Sequence, residues 1–326
     1  MAITLASLYQ PVQAHLDGVQ AATGQIWQEA LEIVHGPFIS PPKAGGKLLR
    51  PALCLLSAGA AGAAGAEDVS EFVSLAVAVE MLHMAALTHD DVVDNADTRR
   101  GSASLNALWD DRTAVLSGDY LVARSVNLMA EYGSCDVIAA TFEAIRRMTE
   151  GELANLGPGT EGYTQEDCLR IADQKTASYF ATTCSLPTFL LGETYRKALR
   201  AYGHAVGVAF QLVDDLLDIA QDEATLGKPS CGDIVGAKKT LPILFMREAL
   251  DAADRDRFKK MAGHPIAEKD RHWVAAILES TGARARTEAI AREYADKARA
   301  ALDFLPATPY RDSMLGLAEF VLVRGS

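Results

Sequence analysis

The sequence predicts an all-α protein. Apolar residues recur at spacings of three and four along most of the 326-residue chain, whereas strict alternation with β-branched residues is scarce. Two long stretches, 69–94 and 199–220, are apolar on nearly every side, as expected for helices at the centre of a fold. We therefore expect residues 1–326 to form one domain, a single large helical bundle whose site is built on facing helices.

Glycine and proline divide the chain into about ten predicted helices. The breaks fall at 36–46, 59–66, 101, 157–162, 227–229 and 306–309. The Gly/Ala stretch 59–66 is predicted to be an interhelical loop within the domain, because it is short and similar helical patterns flank it. Lys175 and Thr176 are predicted to open a helix in the middle of the chain.

Composition excludes several classes of partner. The net charge of -12 argues against a nucleic-acid partner, which needs a basic face. Five cysteines without CxxC spacing suggest neither a disulfide framework nor a zinc site, and a reducing cytoplasm is expected. The N-terminus lacks the basic segment and apolar core of a signal peptide. The richest apolar run, 73–87, contains Glu80 and His83, so no membrane span is expected.

Two acidic runs repeat one pattern, DDxxD, about 120 residues apart. They are Asp90-Asp91-Val92-Val93-Asp94 and Asp214-Asp215-Leu216-Leu217-Asp218. The first and last carboxylates of each run share a helix face, about 6 Å apart along the axis. One such run could simply be a solvated helix end, although carboxylates at a helix C-terminus are unfavourable by roughly 0.3–1 kcal/mol each. Mg²⁺ binds a few carboxylates while phosphates and waters complete its shell, so the pair is predicted to hold a diphosphate through bridging metals.

Basic residues occur near these runs in the sequence. They are Lys47, Arg50, Arg99, Arg100, Lys175, Lys228 and Lys238. A lone lysine or arginine is usually a solvated surface residue, so the argument depends on the whole set. Arginine offers a planar fork to phosphate and lysine a point charge. One diphosphate would be bound through metals by the aspartates, and a second would need cations alone.

Five ordered motifs resemble those of the trans-isoprenyl diphosphate synthases, the polyprenyl synthetase family, across nearly the whole chain. They are GGKLLRP (45–51), HMAALTHDDVVDNADTRRG (83–101), GELANL (151–156), DQKTASYF (173–180) and the region from FQLVDDLLDIAQD to GKPSCGDIVGAKKTLP (210–242). Within this family the chain is most like the long-chain, octaprenyl-type synthases. The resemblance implies an all-α bundle around a deep central cavity and a homodimer. It also implies head-to-tail elongation of an allylic prenyl diphosphate by isopentenyl diphosphate.

The resemblance also implies roles for individual residues. Asp90, Asp91, Asp94, Asp214 and Asp218 would hold three Mg²⁺ ions on the allylic diphosphate, with support from Asp215. The same diphosphate would be contacted by Arg99, Lys175, Thr176, Gln211, Lys228 and Lys238. Isopentenyl diphosphate would be bound by Lys47, Arg50, His83 and Arg100. Phe210 and the backbone around residues 175–176 would keep water from the carbocation, and the departed diphosphate would remove the proton, so no side-chain base is assigned.

His83 also has a structural explanation, because a lone histidine in an apolar helix is often a core residue. It lies two helical turns before Asp90 on the same face, which favours contact with a diphosphate. Leu48, Asn155 and Ala237 depart from the family's pattern, but none of them is a charged site residue.

Residues upstream of the first acidic run limit product growth in this family. Ala85, about 7.5 Å down the helix from Asp90, and its neighbour Ala86 are both small. They predict a product longer than C20, unless Met81 or another deeper residue closes the cavity. The alternative explanation is that the alanines only permit close helix packing.

Three other functions remain as alternatives. A short-chain farnesyl or geranylgeranyl diphosphate synthase would share the site but place an aromatic floor beneath the first run. A terpene cyclase would carry Asn, Ser or Thr and Glu in its second metal motif and would not need a second diphosphate site. A non-catalytic regulatory subunit of a prenyl synthase would be expected to lose aspartates, and this chain keeps all six.

Overall fold

The computed structural model describes residues 4–35, 47–62, 68–99, 101–156, 162–221 and 230–323. Its helices, in chain order, are α1 (Leu5–Tyr9), α2 (Gln13–His35), α3 (Leu49–Ala61), α4 (Val73–Val93), α5 (Leu105–Leu108), α6 (Asp111–Ala130), α7 (Cys135–Asn155), α8 (Gln165–Ala172), α9 (Ser178–Ser185), α10 (Thr188–Leu191), α11 (Arg196–Ala220), α12 (Gly232–Val235), α13 (Leu241–Ala249), α14 (Ala252–Lys259), α15 (Glu268–Ser280), α16 (Ala283–Ala301) and α17 (Pro309–Val323). A π-helix, Asp173–Ala177, joins α8 to α9. Short 3₁₀ turns cover Gln10–Val12, Ser70–Phe72 and Leu302–Phe304, and a two-residue hairpin pairs β1 (Thr98–Arg99) with β2 (Ser102–Ala103). The all-α prediction is confirmed.

The chain forms two compact units. One comprises the described residues up to Phe142 together with Thr182–Arg200 and Leu302–Leu317. The other comprises Glu143–Ala181, Ala201–Ala301 and the described residues from Ala318. The prediction of a single domain over residues 1–326 stays a prediction.

The first unit is organised around α4, which packs against α2, α3 and α6. The side chains from Leu75 to Leu82 on this helix are all buried, because α4 has almost no polar face to present to water. By length and composition alone, Ser70–Val93 could cross a membrane, although 61% of its apolar window is buried inside the protein. The helix is longer than the apolar run 73–87 found in the sequence, and its burial is that of a core helix.

The second unit is organised around α11 and α13. A hydrophobic core runs from Val208 and Leu212 on α11 to Leu241 and Phe245 on α13. Helix α13 also packs against α16 and α8. Thr164 caps the N-terminus of α8 in a capping box with Asp167, and thereby fixes the helix that leads into the π-helix.

Two sequence expectations about the helices are corrected by the structure. Within the described residues, thirteen helices have eight residues or more, which exceeds the predicted ten. Helix α3 continues through Gly59 to Ala61, so the first part of the predicted Gly/Ala loop is helical; residues 63–67 lie outside the described part. A Cβ on Gly59 would lie 2.5 Å from the ring of Tyr310, so this glycine makes room for α17 rather than ending the helix. The predicted breaks at 36–46, 157–161 and 227–229 also lie outside the described residues.

Candidate active site

The first acidic run lies at the end of α4, in the first unit. Asp91 is buried, Asp90 is partly buried, and Asp94 is exposed as the C-cap of the helix. Arg99 Nε donates to Asp91 Oδ1 at 2.6 Å. Burial raises the pKa of Asp91 and the charge of Asp94 adds to this, although Arg99 opposes both. Burial therefore disfavours the ionised form of Asp91, and the charge of Arg99 partly compensates for this.

A tight return of the chain brings Arg99 back to α4. The Ala96 amide donates to the Asp91 carbonyl at 2.9 Å, and Asn95 adopts a left-handed conformation with φ of 48°. Ser104 Oγ donates to the Ala96 carbonyl at 2.5 Å from the far side of the hairpin. These bonds explain how a residue eight positions after Asp91 can pair with it. Arg100 lies outside the described residues.

His89, near the end of α4, contacts α6. Its Nε2 lies 3.1 Å from the Val115 carbonyl and 3.5 Å from Asp119 Oδ1. A Cβ on Gly118 would lie 2.2 Å from the same nitrogen, so only glycine leaves room for the ring. Sequence reasoning missed this contact, which fixes the residue immediately before Asp90.

Three of the four residues predicted to bind isopentenyl diphosphate are described, and they belong to the same unit. Lys47 is exposed, Arg50 is partly buried in the first turn of α3, and His83 is partly buried on α4. Tyr9 Oη donates to the Lys47 carbonyl at 2.7 Å, and Leu48 follows with a left-handed φ of 45°. The end of α1 thus holds the turn that presents Lys47.

The predicted chain-length residues occupy the body of α4. Ala85 and Met81 are buried, and Ala86 is partly buried. Their helical positions agree with the sequence expectation. Whether they limit a product remains a prediction.

The second acidic run lies near the end of α11, in the second unit. Asp214 is exposed, whereas Asp215 and Asp218 are buried. Asp218 Oδ2 accepts from the Asp233 amide at 2.9 Å, and the Asp218 carbonyl accepts from the Cys231 amide at 2.7 Å. Asp218 therefore shapes the segment that begins α12. Lys228 lies outside the described residues.

Asp215 is a buried carboxylate near other acidic groups. Burial raises its pKa well above the ordinary value, and the nearby charges of Asp233 and Asp214 raise it further. Gln211 Nε2 donates to Asp215 Oδ1 at 2.7 Å, and that bond and the charge of Lys175 oppose the rise.

The predicted cation Lys238 lies beside Asp233, whose charge raises the pKa of Asp215. Its Nζ is 3.8 Å from Asp233 Oδ1. Asp233 was not singled out from the sequence, although it lies within a matched motif; its acidic side chain beside a site lysine was the available signal.

Lys175 and Thr176 lie inside the π-helix. They do not open a helix, as the sequence suggested, but sit in a continuous helical segment that widens for five residues. Lys175 Nζ forms an ion pair with Glu152 on α7. Thr176 Oγ1 donates to Gln211 Oε1, and Gln211 in turn bonds Asp215. The structure thus joins Thr176, Gln211 and the second acidic run in one hydrogen-bond chain.

Close backbone packing sets this arrangement. A Cβ on Gly151 of α7 would lie 2.6 Å from the Lys175 amide nitrogen, and a Cβ on Gly207 of α11 would lie 2.6 Å from Ala177 Cα. Both helices therefore approach the π-helix backbone more closely than a side chain would allow. The GELANL motif gains a physical role, because Gly151 permits the approach and Glu152 supplies the ion-pair partner.

An aromatic pair lies next to these polar groups. Phe210, predicted to shield the carbocation, is partly buried on α11, and its ring centroid is 5.3 Å from that of the fully buried Phe180. Phe180 was not predicted to take part, although it lies in the DQKTASYF motif. The pair offers an apolar surface beside Gln211.

The donor set fits a hard divalent cation. Both runs present carboxylate oxygens, which Mg²⁺ and Ca²⁺ prefer, and the raised pKa values of Asp91 and Asp215 mark charge that a cation would relieve. Across the described part of the chain, no group of three or more His, Cys, Asp or Glu residues is placed to hold a metal unaided. Substrate phosphates and waters would complete the shell, as Mg²⁺ commonly requires.

Comparison with known proteins identifies the family of the chain. The family model for polyprenyl synthetases matches residues 32–279. Octaprenyl diphosphate synthase from Escherichia coli K12 is 34% identical over 313 residues, which cover 94% of this chain and 95% of that protein. All-trans-nonaprenyl-diphosphate synthase from Rhodobacter capsulatus is 35% identical over 285 residues, 86% of each chain.

A solved structure is similar over the whole length. The polyprenyl synthase from Caulobacter crescentus CB15, complexed with calcium and isoprenyl diphosphate, aligns with a TM-score of 0.88 and 32% identity, covering 100% of this chain and 99% of that one. The family match and these relatives together define a prenyltransferase. The chain belongs to the polyprenyl synthetase family.

Proposed function

We propose that the protein condenses isopentenyl diphosphate head-to-tail with an allylic prenyl diphosphate, with a divalent metal, to give a trans-polyprenyl diphosphate longer than C20. The observation that carries the proposal is the full-length likeness to octaprenyl and nonaprenyl diphosphate synthases in a chain that keeps both DDxxD runs. The proposed substrates are two diphosphates, and nucleic acid is not among the partners, in keeping with the net charge of -12.

The aspartates Asp90, Asp91, Asp94, Asp214 and Asp218 would hold Mg²⁺, three ions in all once diphosphate is bound. When bound, Mg²⁺ would stabilise the negative charge that develops on the leaving diphosphate.

Resident ion pairs hold the cations of the site before substrate arrives. Arg99 is paired with Asp91, and Lys175 with Glu152. A diphosphate carries more negative charge and more acceptor oxygens than one carboxylate, so both side chains would transfer to its free oxygens. They would then stabilise the charge that develops as the allylic C–O bond breaks.

The remaining residues would control the carbocation. Phe210 and Phe180 exclude water from one side, and Gln211 and Thr176 are already oriented by their mutual hydrogen bond. The alkene of isopentenyl diphosphate attacks the cation, and a proton passes to the departed diphosphate. Lys47, Arg50, His83 and Arg100 would hold the second diphosphate, while Lys228 and Lys238 would contact the first.

The test is to incubate the protein with Mg²⁺, farnesyl diphosphate and labelled isopentenyl diphosphate and to size the product. We expect elongation past C20 that requires isopentenyl diphosphate. Cyclic hydrocarbon from farnesyl diphosphate alone would refute the proposed synthase function. A product that stops at C15 or C20 would refute the proposed product length. Asp90→Asn and Asp214→Asn should each cut turnover severely in folded protein, and unchanged turnover would refute their metal roles.

The chain-length proposal concerns Ala85. Ala85→Phe places a ring below the first acidic run and should shorten the product, with Ala86 and Met81 as the neighbouring length determinants. Ala85→Ser is the matched control, because it nearly conserves volume and should leave product length unchanged. Equal product lengths from wild type and Ala85→Phe would contradict the proposal.

We also propose that the enzyme acts as a homodimer through an apolar patch formed by Val93, Leu108, Val115 and Leu116. These side chains are exposed on three mutually packed helices, α4, α5 and α6. A second copy of the chain is the proposed occupant, because homodimers are expected from the family resemblance and exposed aliphatic clusters of this kind mark protein interfaces.

A cytoplasmic location is proposed as well. All five cysteines are free, and four of them are buried. Free thiols are typical of a reducing compartment.

A further inference from the structure

One carboxylate ties three helical segments together in the second unit. Asp173 is the first residue of the π-helix and is only 24% exposed. Its Oδ2 accepts from Arg147 Nη2 of α7 at 2.5 Å, and its Oδ1 lies 2.9 Å from His204 Nε2 of α11. A carboxylate only accepts, so His204 carries its proton on Nε2.

The charge of the Asp173 side chain follows from its surroundings. Burial raises its pKa, but the hydrogen bond from His204 and the charge of Arg147 outweigh burial and leave the pKa below its ordinary value. Asp173 is therefore ionised at neutral pH. The two hydrogen bonds to this largely buried carboxylate are less screened by solvent than an exposed surface ion pair and therefore hold its partners more firmly.

The π-helix is the element that needs such an anchor. A π-turn is rarer and less favourable than an α-turn and persists where surrounding contacts select it. One residue more or less in a turn rotates the directions of all following side chains by about 100° around the helix axis. The directions of Lys175 and Thr176, two and three residues after Asp173, thus depend on whether the wide turn is kept.

We infer that Asp173, held by Arg147 and His204, is a positioning residue that fixes the π-helix against α7 and α11 and thereby aims Lys175 and Thr176 at the allylic diphosphate. Its influence runs through Thr176 to Gln211 and Asp215 by the hydrogen bonds described above. The inference rests on the proposed function, because the allylic diphosphate is the ligand of the site.

The first experiment compares Asp173→Asn with a matched control, Asp270→Asn, in the full chain. Asp270 also pairs with one arginine, Arg257, at 2.6 Å and is 23% exposed, but it is remote in sequence from the π-helix. We expect Asp173→Asn to raise KM for the allylic substrate about tenfold and to lower kcat, with KM for isopentenyl diphosphate unchanged. Asp270→Asn should alter none of these values. Unchanged KM and kcat in Asp173→Asn would overturn the inference.

A readout independent of turnover separates this inference from the proposed function. Hydrogen exchange of the amides from 173 to 180 should accelerate in Asp173→Asn and stay at the wild-type rate in Asp270→Asn. If wild type fails to elongate any allylic diphosphate, the proposed function fails, while the exchange comparison still tests the anchor. Wild-type exchange in this segment of Asp173→Asn would overturn the anchor itself.

A double-mutant cycle tests the route of the effect. If Asp173 acts through Thr176, Asp173→Asn should raise the allylic KM much less in a Thr176→Val background than in wild type. Independent, multiplicative effects would overturn the route. Should Asp173→Asn fail to fold, His204→Ala removes one of the two donors and should shift the allylic KM and the exchange rate in the same direction; wild-type values there would overturn the inference.

Discussion

Gly151→Ala is expected to damage catalysis through packing alone. The added Cβ would lie 2.6 Å from the Lys175 amide nitrogen and 2.9 Å from Gln174 Cβ. Ordinary contact begins at 3.4 Å, so α7 and the π-helix must separate by at least about 0.8 Å. Overpacking of this kind costs about 1–3 kcal/mol of stability, and a displacement near 1 Å at a reacting group costs about 10²-fold in rate.

The assay measures kcat/KM for the allylic substrate together with the thermal midpoint. Gly18→Ala is the control, because Gly18 is an exposed glycine of α2 with no atom within 4 Å of an added Cβ. That control should gain about 0.5–1 kcal/mol of helix stability and keep wild-type turnover. Wild-type kcat/KM in folded Gly151→Ala would refute the claim that α7 sets the position of Lys175.

Three further predictions address other parts of the site. Asp215→Asn should stabilise the metal-free protein at neutral pH, because the raised pKa of Asp215 means that its ionisation opposes folding. In denaturation measured across pH, this gain in stability should vanish below about pH 4, where the aspartate is protonated in both the folded and the unfolded state. A gain that persists there would contradict the electrostatic cause. Leu116→Glu should convert a dimer to a monomer in light scattering, whereas Phe304→Glu, at another exposed apolar position, should not; a Leu116→Glu dimer would remove the proposed interface. Gly118→Ala should displace His89 and raise the Mg²⁺ concentration needed for half-maximal activity about tenfold, and an unchanged requirement would show that His89 does not support the first acidic run.

The helical class and the placement of both acidic runs could be predicted because these are local properties. The nearly uniform apolar composition of α4 and of most of α11 marks them as core helices, and each DDxxD run falls near the C-terminal end of its helix, as the sequence predicts. The boundary at Gly59 was mispredicted for a tertiary reason. Its missing side chain serves the ring of Tyr310, some 250 residues away in sequence, and nothing in the local pattern reveals that partner.

The supporting residues of the site could not be predicted for the same reason. Glu152, Asp173 and His204 act through partners on other helices, and an ion pair between distant segments leaves no periodic trace. The π-helix also has no sequence signature: the sequence predicted that Lys175 and Thr176 open a helix, whereas they lie within a continuous helical segment packed closely against Gly151 and Gly207. The family motifs marked where these segments lie but not what they contact.

The contact of α17 with Gly59 has a consequence for biosynthesis. The first unit is completed by Leu302–Leu317, so this segment is translated about 100 residues after Arg200, the previous residue of the same unit. At roughly 5–20 residues per second, the surface of α3 that receives Tyr310 stays uncovered for on the order of ten seconds or more after α3 itself is translated. During that interval the nascent chain exposes the surface around Gly59 that Tyr310 later covers. Transiently exposed apolar surface of this kind is what chaperones bind.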